Sequence, residues 1–493
     1  MTQHPTLNRV LREYVARAIK STAVLAVCTA FLCGNANSTL NAQTWLDSIG
    51  YNDLVNAVGP IEDGTGISLS IVEANTVASP NFRYLPDASH AGLAGKNIID
   101  GSGLNNSATS GHSTGTARSV FGDTSIASGE SDLTVYESGD YVSRVLGFGT
   151  FSDPQIQTSK VQNHSWIGNF ANNAAGVAAA EEVLQRLDYV IEQQDISVVV
   201  GVNNGGATQP MLLGQAHNVI SVGLLNGAHS RGQSTLYGVG RQIPNIVIDA
   251  NTTSNGAART SSVLAVLHEK AVVEGNTNAS RSVVIKSILL AGATKDSIPG
   301  WSRTSTRPLD EVYGAGLVNI QNSYEILEGG EVDGQLTVPT SATIQTDGYD
   351  YGEIIDTDDS VYYAFEIDDQ EQWEDVSLLL TWNFDVQDLD PSTDFFPDAN
   401  PEDLPDFSLT LYDSTDSPLG TIVDFSDSPV DNVEHLFFET LGTGSYTIEI
   451  SSDRSSDFGF AFSFNATAVP EPGSFMFLMG ITTVAGLTRR RRR

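Results

Sequence analysis

Cysteine is nearly absent. The 493-residue chain has two, Cys28 and Cys33, both within its first 35 residues. This argues against a zinc ribbon, a cysteine nucleophile or a disulfide scaffold in the rest of the chain. Positive charge is also scarce, at 25 Lys+Arg against 60 Asp+Glu and a net charge of −35. A surface of that sign repels phosphate and argues against nucleic acid as a partner. No short internal repeat, EF-hand loop, glycine-rich phosphate loop or histidine pair at metal-ligand spacing is present. What remains is 40% hydrophobic residues and 8% aromatics. That is enough for packed cores, and the length points to two domains.

The two ends read as addresses. Arg9, Arg12, Arg17 and Lys20 precede an apolar run at 21–34, and small residues follow it. This is the order of a secretory signal peptide, assigned to residues 1–42. At the other end come Val469-Pro470-Glu471-Pro472, sixteen uncharged residues at 473–488, and Arg489 to Arg493. Sixteen residues are short for a span, which needs about 20, and five arginines hold such an end on the cytoplasmic side. This three-part tail, assigned to 469–493, resembles the PEP-CTERM sorting signal of Gram-negative bacteria. The resemblance implies transient membrane contact through 473–488, processing by an exosortase, and delivery to the cell envelope, cell surface or extracellular matrix.

Without these ends the acidity sharpens. Residues 43–488 hold 16 Lys+Arg against 59 Asp+Glu, and from Glu331 to Ala468 there are 32 acidic residues against Arg454 alone. Such a surface suits salty water, calcium or a cationic partner, and solubility is the simpler reading.

Between the ends the pattern changes once. In 66–330, short β-branched runs (67–72, 198–202, 219–225) alternate with helical periods at 176–194, 259–274 and 281–293. In the first of these helices Val177, Ala180, Val183, Leu184, Leu187, Val190 and Ile191 recur at three and four. The alternation predicts an α/β fold with a parallel sheet flanked by helices, over 43–335. From 336 to 468, alternating runs such as YYAFEI, FSLTLYD and SYTIEIS lie between Asp, Ser, Pro and Gly clusters. They predict an acidic antiparallel β-sandwich.

Several segments of the first region carry chemistry-bearing residues. Glu73 ends the run ISLSIVE. His112 lies in GHSTGTA, Asn204 in VVVGVNNGG, and Ser254 at the start of a helix in PNIVIDANTTSNGAA. A serine in that place is ordinarily a helix cap. Taken together and in order, these segments resemble the subtilisin-like serine peptidases. GHSTGTA resembles that family's GHGTHVA, VQNHSWIG (161–168) its substrate-binding strand, and YGAGLVNIQNSY (313–324) its terminal element.

The resemblance implies an exported endopeptidase that hydrolyses peptide bonds through an acyl-enzyme. Ser254 is then the nucleophile, His112 the general base and Asn204 the oxyanion donor. Glu73 orients the histidine, and an extended peptide or protein substrate lies near Ser165 and Gly168. No cofactor is required. Asp385, Asp388 and Asp390 offer oxygen ligands of the kind calcium takes, or form a solvated acidic loop.

Departures from the pattern keep other readings open. Glu73 stands where the family has Asp, so reaching the imidazole requires a backbone shift. Ser113 follows His112 where the family has Gly, and Thr252 precedes Thr253-Ser254 where Gly is usual. One alternative is a catalytically inactive subtilisin-like module that binds peptide or matrix. Another makes the sandwich, which resembles pre-peptidase C-terminal domains, the active party as a carbohydrate or calcium binder.

Overall fold

Seven short strands make the first sheet: β1 Leu69–Glu73, β2 Asn97–Asp100, β3 Asp132–Glu137, β4 Val161–His164, β5 Ser197–Gly201, β6 Ile220–Leu224 and β7 Ile246–Ile248. The computed structural model describes residues 44–468, apart from 77–81, 151, 207, 209–210, 389–394, 396 and 399–402. The apolar runs at 21–34 and 473–488 therefore lie outside the described residues. Among the described residues no helix is long and apolar enough to cross a membrane.

All seven strands are parallel, in the order β7-β6-β5-β4-β1-β3-β2. Every residue of β1, β5, β6 and β7 is buried, as continuous apolar runs require when helices cover both faces. The chain runs from β1 to one edge of the sheet, returns through β3, and restarts at β4 on the other side of β1. At such a reversal the carboxyl ends of the central strands open a crevice. Glu73 ends β1 there.

The helices of this region are α1 Tyr51–Val58, α2 Gly111–Phe121, α3 Ala174–Gln194, α4 Thr253–Glu274, α5 Ser282–Ala291 and α6 Ile320–Gly329. Side-chain caps start most of them: Ser110 for α2, Asn173 for α3, Thr252 for α4 and Asn319 for α6. The expected stripe of α3 is buried from Ala180 to Ile191, with Val177 half-buried. Arg186 and Asp188 are buried with it. Arg186 donates to the carbonyls of Leu146, Ser152 and Phe395, and Asp188 accepts the backbone N–H groups of His217 and Asn218.

The second region is a sandwich of eight antiparallel strands: β8 Gly348–Ile354, β9 Ser360–Ile367, β10 Glu371–Thr381, β11 Phe407–Asp413, β12 Thr421–Ser426, β13 Val433–Leu441, β14 Gly444–Ser452 and β15 Ser456–Ala468. One sheet has the order β8-β15-β10-β13 and the other β9-β14-β11-β12. Aromatics fill the space between them, with Trp373 stacked on Phe464 and Phe365 stacked on Trp373 and Tyr446.

The sandwich is pressed onto the α/β layers. All ten residues of α5 are buried, and this helix packs across β15 and β10. At Gly459 an added Cβ would meet the Val283 carbonyl oxygen at 2.7 Å, so glycine sets the closeness of that approach. The joint is polar as well as apolar. Asn218 donates to the Phe384 carbonyl at 2.9 Å and accepts from its N–H at 2.7 Å. The Asn432 amide bridges the carbonyls of His217 and Trp382, and Thr381 donates to the Val283 carbonyl. The described residues from Trp45 to Ala468 belong to one compact unit.

Candidate active site

Glu73 is 1% exposed at the end of β1, and its Oε2 lies 2.6 Å from His112 Nδ1. The longer side chain does reach the imidazole. His112 is the second residue of α2, and its side chain is 46% exposed. With Nδ1–H donated to a carboxylate, the neutral ring presents Nε2 as an acceptor toward solvent. The carboxylate raises the His112 pKa, against an opposing effect of burial. Burial raises that of Glu73, while His112 and the Thr116 hydroxyl pull it down. The result is an ion-pair-ready couple in which the acid fixes the tautomer of the base.

Ser254 is the second residue of α4, half-buried. It is not the cap: Thr252 accepts from the Asn255 N–H at 3.3 Å and fills that role. The reading of Ser254 as a cap therefore moves by two residues, leaving its hydroxyl free of helix capping. That hydroxyl donates to the Ser165 carbonyl at 3.3 Å, and the Ser165 hydroxyl donates back to the Ser254 carbonyl at 3.0 Å. Ser165, buried at the end of β4, also accepts from the Asn163 amide. Its side chain is thus committed to seating the start of α4. Gly168 lies three residues on, with its carbonyl accepting the Leu212 N–H.

Asn204 follows β5 and is exposed. Its Oδ1 accepts the Thr253 N–H at 2.9 Å. Because an N–H can be met only by the oxygen, the orientation of the amide is determined, and its NH2 remains available to donate. Asn204 is thereby tied to the residue preceding Ser254.

The structure brings these residues together as two tethered pairs, Glu73 with His112 and Asn204 with the Thr253–Ser254 turn. Among the described residues there is no hydrogen bond between His112 and Ser254. One contact invisible to motif reading holds the halves side by side. The Asn255 amide donates to the Ser119 hydroxyl at 2.8 Å, joining α4 to α2. Gly201 lets β5 approach α4, since a Cβ there would meet the Thr253 carbonyl at 2.7 Å. The glycine ending VVVG was the one visible signal for that approach.

The remaining histidines are structural in their contacts. His164 is buried between Gln162 and Trp166, and burial pushes its pKa down to about 3. His229 accepts from the Leu224 N–H and bonds the Val312 carbonyl. Of the expected calcium loop, Asp390 lies outside the described residues, and Asp385 accepts from the Gln387 amide. The carboxylates that do converge, within 4.8 Å, are Glu331, Asp333 and Asp350. Two of these already hold protein donors: Glu331 takes Asn276 and Asn278, and Asp350 takes Gly334 and Tyr363.

Comparison with known proteins agrees with the tail. The model of the PEP-CTERM protein-sorting motif matches residues 468–493. The chain thus carries a signal for export and sorting at the cell envelope, of the kind processed by exosortases. No curated protein matches the chain. Among solved structures, a lanthipeptide protease is similar at 14% identity and a TM-score of 0.39, over 57% of this chain and 94% of that one. The prenylagaramide maturation protease PagA is similar at 16% and 0.37, over 52% and 93%. The serine protease MycP1 of a type VII secretion system is similar at 14% and 0.35, over 59% and 90%.

Proposed function

We propose that the chain is an exported serine endopeptidase that acts at the cell surface or in the exopolysaccharide matrix after exosortase processing. Ser254 attacks the carbonyl of an extended peptide and His112 Nε2 takes its proton. Glu73 holds the imidazole and stabilises its cation, while the Asn204 amide donates to the oxygen as it becomes negative. His112 then gives the proton to the leaving amine, and water hydrolyses the acyl-enzyme by the same path in reverse. This chemistry calls for no cofactor. The observation that carries the reading is the 2.6 Å contact between His112 Nδ1 and the buried Glu73 carboxylate. A surface histidine gains nothing from a carboxylate held dry behind it unless the imidazole is to be charged in use.

A second reading is favoured by one observation. The Ser254 hydroxyl is bonded to the Ser165 carbonyl rather than to His112. A module that binds peptide without cutting it would keep its serine in that position.

Labelling separates the two. A fluorophosphonate applied to purified residues 43–468 forms a phosphonyl ester on an activated serine and releases fluoride. Peptide mapping is expected to find the adduct on Ser254, absent in Ser254→Ala. A folded protein without adduct establishes the binding module.

A further inference from the structure

A second cleft lies away from this site. It measures about 870 Å³ and lies between the loop after α5, residues 295–305, and strands β10 and β13 of the sandwich. That is within the size range of ligand sites, roughly 300–1,000 Å³.

Its charge is one-sided. Asp296, Glu374, Asp375, Asp424 and Glu439 line it, against Lys295 and Arg303. Arg303 is spent on Asp424. The remaining basic group, Lys295, rests over the Phe437 ring at 4.4 Å and the Trp301 ring at 5.4 Å, and burial pushes its pKa down to about 7 against the pull of Asp375 and Asp296. The two rings meet edge to face at 5.3 Å. An aromatic wall with carboxylates around it is an environment that stabilises ammonium and guanidinium groups.

Strand β10 is deformed at this place. Its register against β15 slips between Glu374 and Ser377, and Asp375 takes a left-handed φ of 52°. In a regular strand, neighbours point to opposite faces; a bulge can turn both toward one side. Here both Glu374 and Asp375 line the cleft.

The backbone offers a second kind of contact. β13 is the last strand of its sheet. Among the described residues no backbone hydrogen bond reaches its outer side between Leu436 and Thr440. Phe437 and Glu439 point to one face of β13 and Thr440 to the other, yet all three line the cleft. The cleft therefore wraps the strand's open edge, where an added strand finds unpaired N–H and C=O groups.

We propose that this cleft binds an extended, basic polypeptide segment, which pairs with the edge of β13 and places lysine or arginine side chains among Glu374, Asp375, Glu439 and Trp301. A free polyamine would satisfy the carboxylates but leave the strand edge unused. The site does not depend on Ser254 acting as a nucleophile.

The test uses the full-length protein carrying Ser254→Ala, so that cleavage cannot consume the probe. The probe is a blocked octapeptide of alternating arginine and valine, titrated by calorimetry beside its glutamate counterpart and spermidine. The arginine peptide is expected to bind at one site, and the glutamate peptide not at all. Glu374→Gln with Glu439→Gln, and separately Trp301→Ala, are expected to weaken binding about tenfold, the loss of one or two good contacts. Unchanged affinity in these variants overturns the proposal, as does spermidine binding as tightly as the peptide.

Should a variant fail to fold, carbodiimide coupling of the lysine analogue to the unsubstituted protein gives the answer. Adducts mapped to Glu374 or Glu439 support the site. Adducts spread over the sandwich carboxylates overturn it and identify general attraction to an acidic surface.

Discussion

The α/β layers and the sandwich bury their surfaces in different ways. The parallel sheet is aliphatic and covered by helices on both faces, and Glu73, His112, Asn204 and Ser254 all stand at the ends of its strands or the starts of its helices. The sandwich is filled with aromatics and holds most of the excess negative charge, yet one of its two outer faces is covered where β15 and β10 run. That face meets α5, a helix buried at every residue. A helix hydrophobic all round has no solvent side to offer. The sandwich is thus a further layer of the α/β fold rather than a module carried behind it, and the part of the molecule that holds the candidate chemistry depends on the part that does not.

The largest expected effect follows directly. Residues 43–335 expressed without the sandwich would expose α5, strip Asn218 of the Phe384 backbone groups it pairs with, and take the Asn432 amide from the His217 carbonyl. The shortened chain is expected to be insoluble or to lack a cooperative melt, whereas the longer chain melts in one transition by circular dichroism. A soluble 43–335 with a sharp transition would break the comparison and make the sandwich a separable domain.

That dependence was not legible in the sequence, for a physical reason. Periodicity reports which residues avoid water, not what they avoid it against. The runs at 67–72, 198–202 and 219–225 located β1, β5 and β6 to within two residues, and YYAFEI, FSLTLYD and SYTIEIS did the same for β9, β11 and β14. The stretch 281–293 read as a helix, but its largely apolar composition did not say what covers it. The buried charges were hidden too. Nothing in the sequence marks Arg186, Asp188, Arg241 and Lys286 as buried, because most of their partners are carbonyls and N–H groups distant in sequence. At the site, residue types and order were readable because they follow strand ends. The bond of Ser254 to Ser165 and the cap at Thr252 were not, since each is decided within one turn of α4.

The second effect tests the chemical side of the comparison with little change to the packing. Glu73→Gln keeps the shape of the side chain but removes the charge that holds His112. In peptidases of this chemistry the loss of the orienting acid costs about 10⁴ in rate. The phosphonylation rate of Ser254 is expected to fall by that order, with the melting transition shifted far less. The pH profile carries a second signature. Glu73 raises the His112 pKa above its ordinary value of about 6.5. The base works only when neutral, so the acid limb of the unsubstituted protein is expected above that value and the limb of the variant below it. Equal rates in the two proteins would mean that the acid serves the fold alone.

The smallest effect concerns one ammonium at the joint. Lys286 lies in α5, buried, with Nζ donating to the His217 carbonyl at 3.0 Å. Burial first, and then the Arg241 guanidinium, push its pKa down to about 7, against the pull of Asp188. An unfolded lysine titrates near 10.4, so between these values the unfolded chain holds a proton that the folded chain does not. Stability therefore rises with pH above about 7 on account of this group, by at most about 1.4 kcal/mol per pH unit. Lys286→Met is expected to flatten the climb of the urea midpoint between pH 7 and 9 and to raise the midpoint at pH 7. The His217 carbonyl is not orphaned by the change, because the Asn432 amide still bonds it at 2.9 Å. An unchanged slope in the variant would show that Lys286 keeps its proton in the fold, held by Asp188. The joint between the two regions would then contain a charge as firmly paired as the one between His112 and Glu73.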